Sequence, residues 1–342
     1  MPYTATSMEA GKILNPKLLI QLLGGVKKPE TEILDTVFKT KKNVDGDSVS
    51  RRITSRTVRA VPFVGQNRPG VPLYGKTVAD DAITTPPMKC HHRILAGDFA
   101  KIKNLLGQER RDAITEELQY VKDTVAWNIE WFLRHLLVTG QCDYEFLQDD
   151  GTYQNVVYAL GTLSAAPIVP PVLFDAATAT LTDVVVHLDR MITAGQAVAN
   201  RNHFQDPGKT ITYARTAVWN AIYDLLDGKL TTNVVSAKRL DALTLDVAGF
   251  IVKKFDANTV VPSSQAAGVG IPVKQMRMID TSAPHTLANL EIENLKAVGG
   301  QKHVFILPVE DSYGEYVDIT VQIRPVGMLI PEAVVSSLDV FS

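Results

Sequence analysis

The chain holds 342 residues, 45% hydrophobic and 21% charged, with a formal net charge of −2. That composition excludes wholesale disorder, and the near-zero charge excludes a chain built throughout to coat polyanions, leaving nucleic-acid contact to a local patch. Two cysteines, Cys90 and Cys142, exclude a disulfide scaffold and fit a reducing compartment.

Length suggests about two domains. The first residues, MPYTATSMEAGKILNPKLL, lack the apolar core of a signal peptide. No apolar run approaches the ~18–20 residues of a membrane span. A soluble protein, made inside the cell, is the expectation.

Residues 1–38 read as an arm. A short amphipathic piece, Pro16 to Leu23, ends at Gly24-Gly25, and a second carries Ile33, Leu34, Val37 and Phe38. Residues 39–97 read as a long two-stranded loop. Ser48 to Val61 alternates and is rich in Val, Ile, Thr and Arg, which favours extended backbone. Pro62, Gly65, Pro69, Gly70, Pro72 and Gly75 break the tip, and Met88 to Leu95 fits a return strand. From Lys39 to Arg68 eight basic residues stand against two acidic ones, a local balance of +6. An isolated two-stranded hairpin is marginal in water, so this ribbon must move or lie on something else. A neighbouring subunit is favoured.

Asp98 is placed to cap a short helix through Leu106. Then comes the most informative pattern: Ile114, Leu118, Val121, Val125, Ile129, Phe132 and Leu136 recur every three or four residues. This predicts one helix over 108–138, roughly 45 Å long at ~1.5 Å per residue. Gly140 is placed to stop it. Tyr144 to Tyr158 reads as a hairpin about Asp149-Asp150-Gly151.

After Pro167, Pro170 and Pro171 the pattern turns to mixed α/β. Helices are expected over Leu181 to Ala194 and Thr216 to Leu226. Strands are expected over Lys209 to Ala214, Val247 to Phe255 and Met276 to Ile279. Leu287 to Val298 reads as a helix ending at Gly299-Gly300, and the tail returns to strands over His303 to Leu307, Tyr316 to Arg324 and Val326 to Phe341.

Chemistry is sparse. Cys90-His91-His92 is the one metal-like cluster, but neighbours on a strand point to opposite faces; a polar strand is the better reading. Gly268-Val269-Gly270 lacks the third glycine of a dinucleotide site, and no phosphate loop or nucleophile elbow is found. Asp149-Asp150 is far better explained as a turn than as an acid/base pair. Trp127 and Trp131, one helical turn apart, are read with Phe132 as packing residues of the long helix, a subunit contact being second. The loop arginines Arg51, Arg52, Arg56, Arg59 and Arg68 could hold DNA phosphates, pair with acidic residues of a neighbour, or face solvent.

Several stretches, in order, resemble the major capsid proteins of tailed bacteriophages, specifically the lambda-like capsid protein E family. They are TEILDTVF (31–38), VPFVGQNRPGVPLYG (61–75) with TTPPMKCHH (84–92), EELQYVKDTVAWNIEWFLRHLLVTG (116–140), the DDGTYQNVVYALG hairpin and the ending PVGMLIPEAVVSSLDVF. The resemblance implies an α+β, HK-ninety-seven-like capsid fold. Its parts would be an N-terminal arm (1–38), an extended E-loop (39–97), a P-domain with the spine helix (98–167), an A-domain (168–296) and P-domain C-terminal strands (297–342). It implies a non-enzymatic major capsid protein forming hexamers and pentamers of an icosahedral head, assembled in the bacterial cytoplasm and ending in the virion. It places the five loop arginines against a neighbouring subunit. Implied partners are the chain itself, a separately encoded scaffolding protein, a portal protein, a decoration protein and double-stranded DNA bound without sequence specificity. No cofactor, metal or membrane is expected. Two alternatives stay open: a gene-transfer particle or nanocompartment shell, and a soluble nucleic-acid-binding module using the basic loop.

Overall fold

The structure, a computed structural model, describes residues 13–26, 29, 31–56, 76–147, 152–159, 167–198, 203–227, 237–255, 271–292, 302–311, 313 and 315–340. The arm carries two helices. In α1 (Pro16–Gly25), proline opens the helix and the Asn15 side chain accepts from the Lys17 amide at 2.9 Å. The second, α2 (Glu32–Thr36), has only five residues. Strand β1 (Thr40–Val44) follows, then the ribbon strands β2 (Ser48–Arg56) and β3 (Lys76–Thr84), then β4 (Met88–Leu95) and α3 (Ala96–Asn104).

The spine helix α4 (Gly107–Thr139) runs 33 residues, about 50 Å. Its apolar stripe is buried as the spacing requires: Ile114, Leu118, Val121, Ile129, Phe132 and Leu136 are each at most 8% exposed. Gly140 ends it at φ 72°, a left-handed residue whose amide bonds the Leu136 carbonyl. The hairpin β5 (Gln141–Leu147) and β6 (Tyr153–Ala159) pairs in register from Gln141–Ala159 to Leu147–Tyr153. The Asp149-Asp150-Gly151 turn lies outside the described residues.

The insert contains α5 (Leu181–Val198), β7 (Thr210–Ala214), α6 (Thr216–Asp227), β8 (Ala237–Arg239), β9 (Thr244–Val247), β10 (Phe250–Lys254) and β11 (Met276–Asp280). The chain then passes through β12 (Thr286–Leu290), β13 (Val304–Glu310), β14 (Tyr316–Ile323), β15 (Pro325–Met328) and β16 (Val334–Ser336).

Three sheets besides the ribbon and hairpin organise these strands. A six-stranded sheet has the order β16-β11-β7-β10-β9-β8, a three-stranded one β13-β14-β4, and another β1-β12-β15. The six-stranded sheet is covered on both faces. Ala214, Val252, Met276, Met278 and Val335 pack beneath Val184, Leu188, Met191, Val218 and Ile222 of α5 and α6. Tyr213, Ile279 and Val334 face the other way, into one core with Trp131, Phe132, Leu133 and Leu136 of the spine helix. The first half of the spine helix packs with α1 and the β13-β14-β4 sheet.

Five expectations need correction. Met88–Leu95 does not return the ribbon; β3 does, and β4 pairs antiparallel with β14. Pro86-Pro87 interrupts the ladder, and Ile94 turns into the spine-helix core. Leu287–Leu290 is a strand rather than helix, because β1 and β15 pair with it on both edges. Val247 to Phe255 is two strands, β9 and β10, joined at Ala248-Gly249 with φ 53° and 88°. Helix α3 starts at Ala96, and Asp98 lies within its first turn, bonded by Lys101 at 2.8 Å, rather than capping it. The tail from Val326 is broken: β15, a 3-10 turn at Pro331–Ala333, then β16, which joins the insert's sheet.

Candidate functional site: ribbon, arm seat and assembly faces

The ribbon β2–β3 is a two-stranded sheet with both outer edges unpaired among the described residues. Each strand has nine residues, about 30 Å. Its root is anchored. Val49 and Ile83 are buried in the main core, and the Arg324 guanidinium donates to the carbonyls of Asp47, Thr85 and Glu291 and to the Thr84 hydroxyl at 2.9–3.2 Å. Arg324 thus ties the two strand ends to the segment that follows β12. Sequence reading passed over it, since a lone arginine after a strand carries no pattern.

Of the five arginines assigned to inter-subunit contact, Arg51, Arg52 and Arg56 lie on β2, while Arg59 and Arg68 lie outside the described residues. The register sets Arg51 opposite Asp81 and Arg52 opposite Asp80. Opposite charges at facing positions stabilise an antiparallel pair by ~0.2–1 kcal/mol.

The packing residues of the spine helix separate. Trp131 and Phe132 are 5% and 3% exposed and belong to the main core; Trp127 is half-buried on a neighbouring face. The helix also carries charged side chains that hold the arm. Lys122 donates to the Leu23 carbonyl at 2.9 Å and to the Val26 carbonyl, at the negative end of α1. Glu130, fully buried, accepts from the amides of Ile33 and Leu34, each at 2.9 Å, at the positive end of α2. Arg134, one turn on, donates to the same carboxylate at 2.9 Å. The N-cap residue of α2, Thr31, makes no side-chain cap; its hydroxyl goes to Asp35. The cap comes from the spine helix instead.

Above α2 sits the insert. Glu32 accepts from Lys253 at 2.8 Å and from the Tyr213 hydroxyl at 3.2 Å, and that hydroxyl lies 3.1 Å from the Thr36 hydroxyl. Burial, then the Glu32 carboxylate, push the Tyr213 phenol well above its ordinary range, so it stays neutral. Tyr213 packs edge-on against Phe255, and the Arg134 guanidinium lies 4.9 Å from the Phe255 ring centroid.

At Cys90-His91-His92 the side chains alternate. His91 faces out to the Thr320 hydroxyl at 3.0 Å, and His92 turns to Glu117 at 2.5 Å. Burial raises the Cys90 thiol pKa. Among the described residues no group of three or more His, Cys, Asp or Glu converges on a metal position, and no helix is long and apolar enough to cross a membrane. Gly268 and Gly270 lie outside the described residues. Large apolar side chains stand exposed along the molecule: Leu95 at 59%, Leu106 at 75%, Tyr120 at 65% and Tyr313 at 88%.

A long helix, a rooted two-stranded ribbon and an inserted sheet form a recognisable set. The sequence model of the phage major capsid protein E family matches residues 19–337. The chain belongs to this family. It is a shell-forming phage capsid protein with the HK-ninety-seven-like fold. Among solved structures, it is similar to a prophage protein of E. coli CFT073 described as a capsid protein, with TM-score 0.57 and 12% identity over 94% of this chain and 98% of that one. It is similar to the capsid of a native GTA particle (TM-score 0.52, 13% identity, 92% and 95% covered). A phage-related protein of Bordetella bronchiseptica RB50 matches with TM-score 0.51 and 11% identity over 95% and 97%. No curated protein matches by sequence. The place of this capsid protein is the virion shell.

Proposed function

We propose that the chain forms the hexamers and pentamers of an icosahedral head around double-stranded DNA, each ribbon lying on an adjacent subunit. The observation that carries this is the ribbon. It holds eighteen strand residues, and ordering each costs ~1–2 kcal/mol. Among its described side chains, Val49 and Ile83 at the root are buried in the core.

The loop arginines Arg51, Arg52, Arg56, Arg59 and Arg68 are proposed to pair with acidic residues of a neighbour. Each exposed pair adds only ~0–1 kcal/mol, so repetition around a closed shell supplies the strength and leaves assembly reversible. A scaffolding protein, a portal and a decoration protein complete the proposed partners, with assembly in the host cytoplasm. The DNA is held without sequence specificity, and with a net charge of only −2 any contact with it falls to a local patch rather than to the chain as a whole. The family implies a structural protein, and no enzymatic role is proposed.

Electron microscopy of the purified chain, alone and co-expressed with its scaffold, tests this: uniform closed shells are expected, and a monodisperse monomer under both conditions would overturn it. The likeness to a GTA capsid favours a second reading, a gene-transfer particle of the same fold. DNA extracted from native particles separates the two: one repeated genome marks a phage head, random host fragments mark gene transfer.

A further inference from the structure

The short helix α2 presents an anomaly. Five residues cannot sustain a helix alone, yet α2 sits between two polar seats supplied by distant elements. Below it, Glu130 of the spine helix takes the two amides that its own N-cap residue leaves unbonded. Above it, Lys253 of β10 and Tyr213 of β7 hold Glu32, and Tyr213 meets Thr36. A buried carboxylate is stable only when its oxygens are fully bonded, and among the described residues Glu130 is bonded by two α2 amides and Arg134. Displacing α2 would leave that carboxylate short of two donors, so intermediate positions are disfavoured. Tyr213, Phe255 and Arg134 continue the contact from the insert back to the spine helix. Lys122, about two turns before Glu130, grips the end of α1 in the same way.

We propose that α2 is a removable keystone: seated, it holds the insert and the spine helix at one relative angle; unseated, it frees the insert to turn and releases the arm as far as the Lys122 grip. The coupling is a property of the single chain. Its use, giving one subunit two shapes during shell assembly, rests on the shell reading.

Two measurements on the purified full-length chain, before assembly, test the keystone. The first is hydrogen exchange at the amides of Ile33, Leu34, Val37 and Phe38 in Lys253→Met and Glu130→Gln. Lys253 touches none of those amides. The keystone requires Lys253→Met to speed all four by about tenfold, the worth of one charge-assisted hydrogen bond, and the double variant by about a hundredfold. Unchanged protection of Ile33 and Leu34 in Lys253→Met would overturn it. The second is the distance between spin labels at the exposed positions Asn220 and Glu116, with Cys90 and Cys142 replaced by serine. One narrow distance is expected in the parent and a broad or second one in the double variant; an unchanged narrow distance contradicts the proposal. Where the double variant does not fold, Tyr213→Phe with Lys253→Met takes its place under the same two outcomes. Neither reading depends on particles, so a missing shell in the microscope counts against the shell reading alone.

Discussion

At the scale of single residues, the fold commits several polar groups to one protonation state. His285 is almost wholly buried. Its Nδ1 accepts the Ile330 amide and its Nε2 donates to the Asp280 carbonyl, both at 3.1 Å, which fixes the neutral tautomer. Burial lowers its pKa to about 4, helped by nearby His203 and opposed by Asp280. His187, fully buried against Phe174, is held at about 4 by burial and then by Arg190. Both folded values lie below the ordinary 6.5, so the unfolded chain binds more protons between about pH 6.5 and 4. Stability is full above that window and falls through it, by about 2 kcal/mol per histidine at pH 5. Denaturation at pH 7.5 and pH 5.0 measures the loss, and His187→Leu should remove about half of it. A glycine packed against side chains gives a second residue-scale prediction. A Cβ on Gly195 would lie 2.5 Å from the Phe204 ring and 2.9 Å from Val335, and Phe204 is itself held at φ 60°. Gly195→Ala should cost about 1–3 kcal/mol, read from the denaturation midpoint.

At the scale of elements, the spine helix was legible because its stripe is long and uninterrupted, and Gly140 closes it with a left-handed residue. The ribbon was legible on its outgoing side, where alternation and arginines favour β2. Its return was misplaced: β4 has a similar alternation, and only the pairing partner β14 distinguishes them. Segment 287–290 failed for a related reason. Leu287, Ala288 and Leu290 are buried between two flanking strands, so a run of helix formers is overridden by tertiary pairing. Glu130 had a readable signal that went unused. It stands alone between Ile129 and Trp131, where the helix is apolar nearly all round, with Arg134 one turn on. Two predictions belong here. Arg324→Ala should cost about 2 kcal/mol and speed amide exchange at Val49 and Ile83, because the ribbon root loses its charged clamp. Trp131→Asp places a carboxylate in the shared core and should abolish particles in the electron microscope, since a buried unpaired charge costs several kcal/mol; normal heads from that variant would contradict the packing of the spine helix.

At the scale of the whole molecule, one core joins the arm, spine helix, insert sheet and C-terminal strands, with Ile33, Phe132, Tyr213 and Val326 in a single apolar cluster. With α2 seated, the chain therefore holds one shape at its centre, and at its margins residues such as Leu106 and Tyr313 stand uncovered. That combination suits a tile: the centre fixes a shape that neighbours can recognise, and the margins supply surface that only neighbours can bury. The most direct test is amide hydrogen exchange along β2 and β3, compared between the unassembled chain and closed shells. Fast exchange beyond the Arg324-clamped root in the free chain, slowed at least about a hundredfold in the shell, is the predicted result. Equal protection of both strands in the free, monomeric chain would show that the ribbon is stable by itself, and would contradict the account.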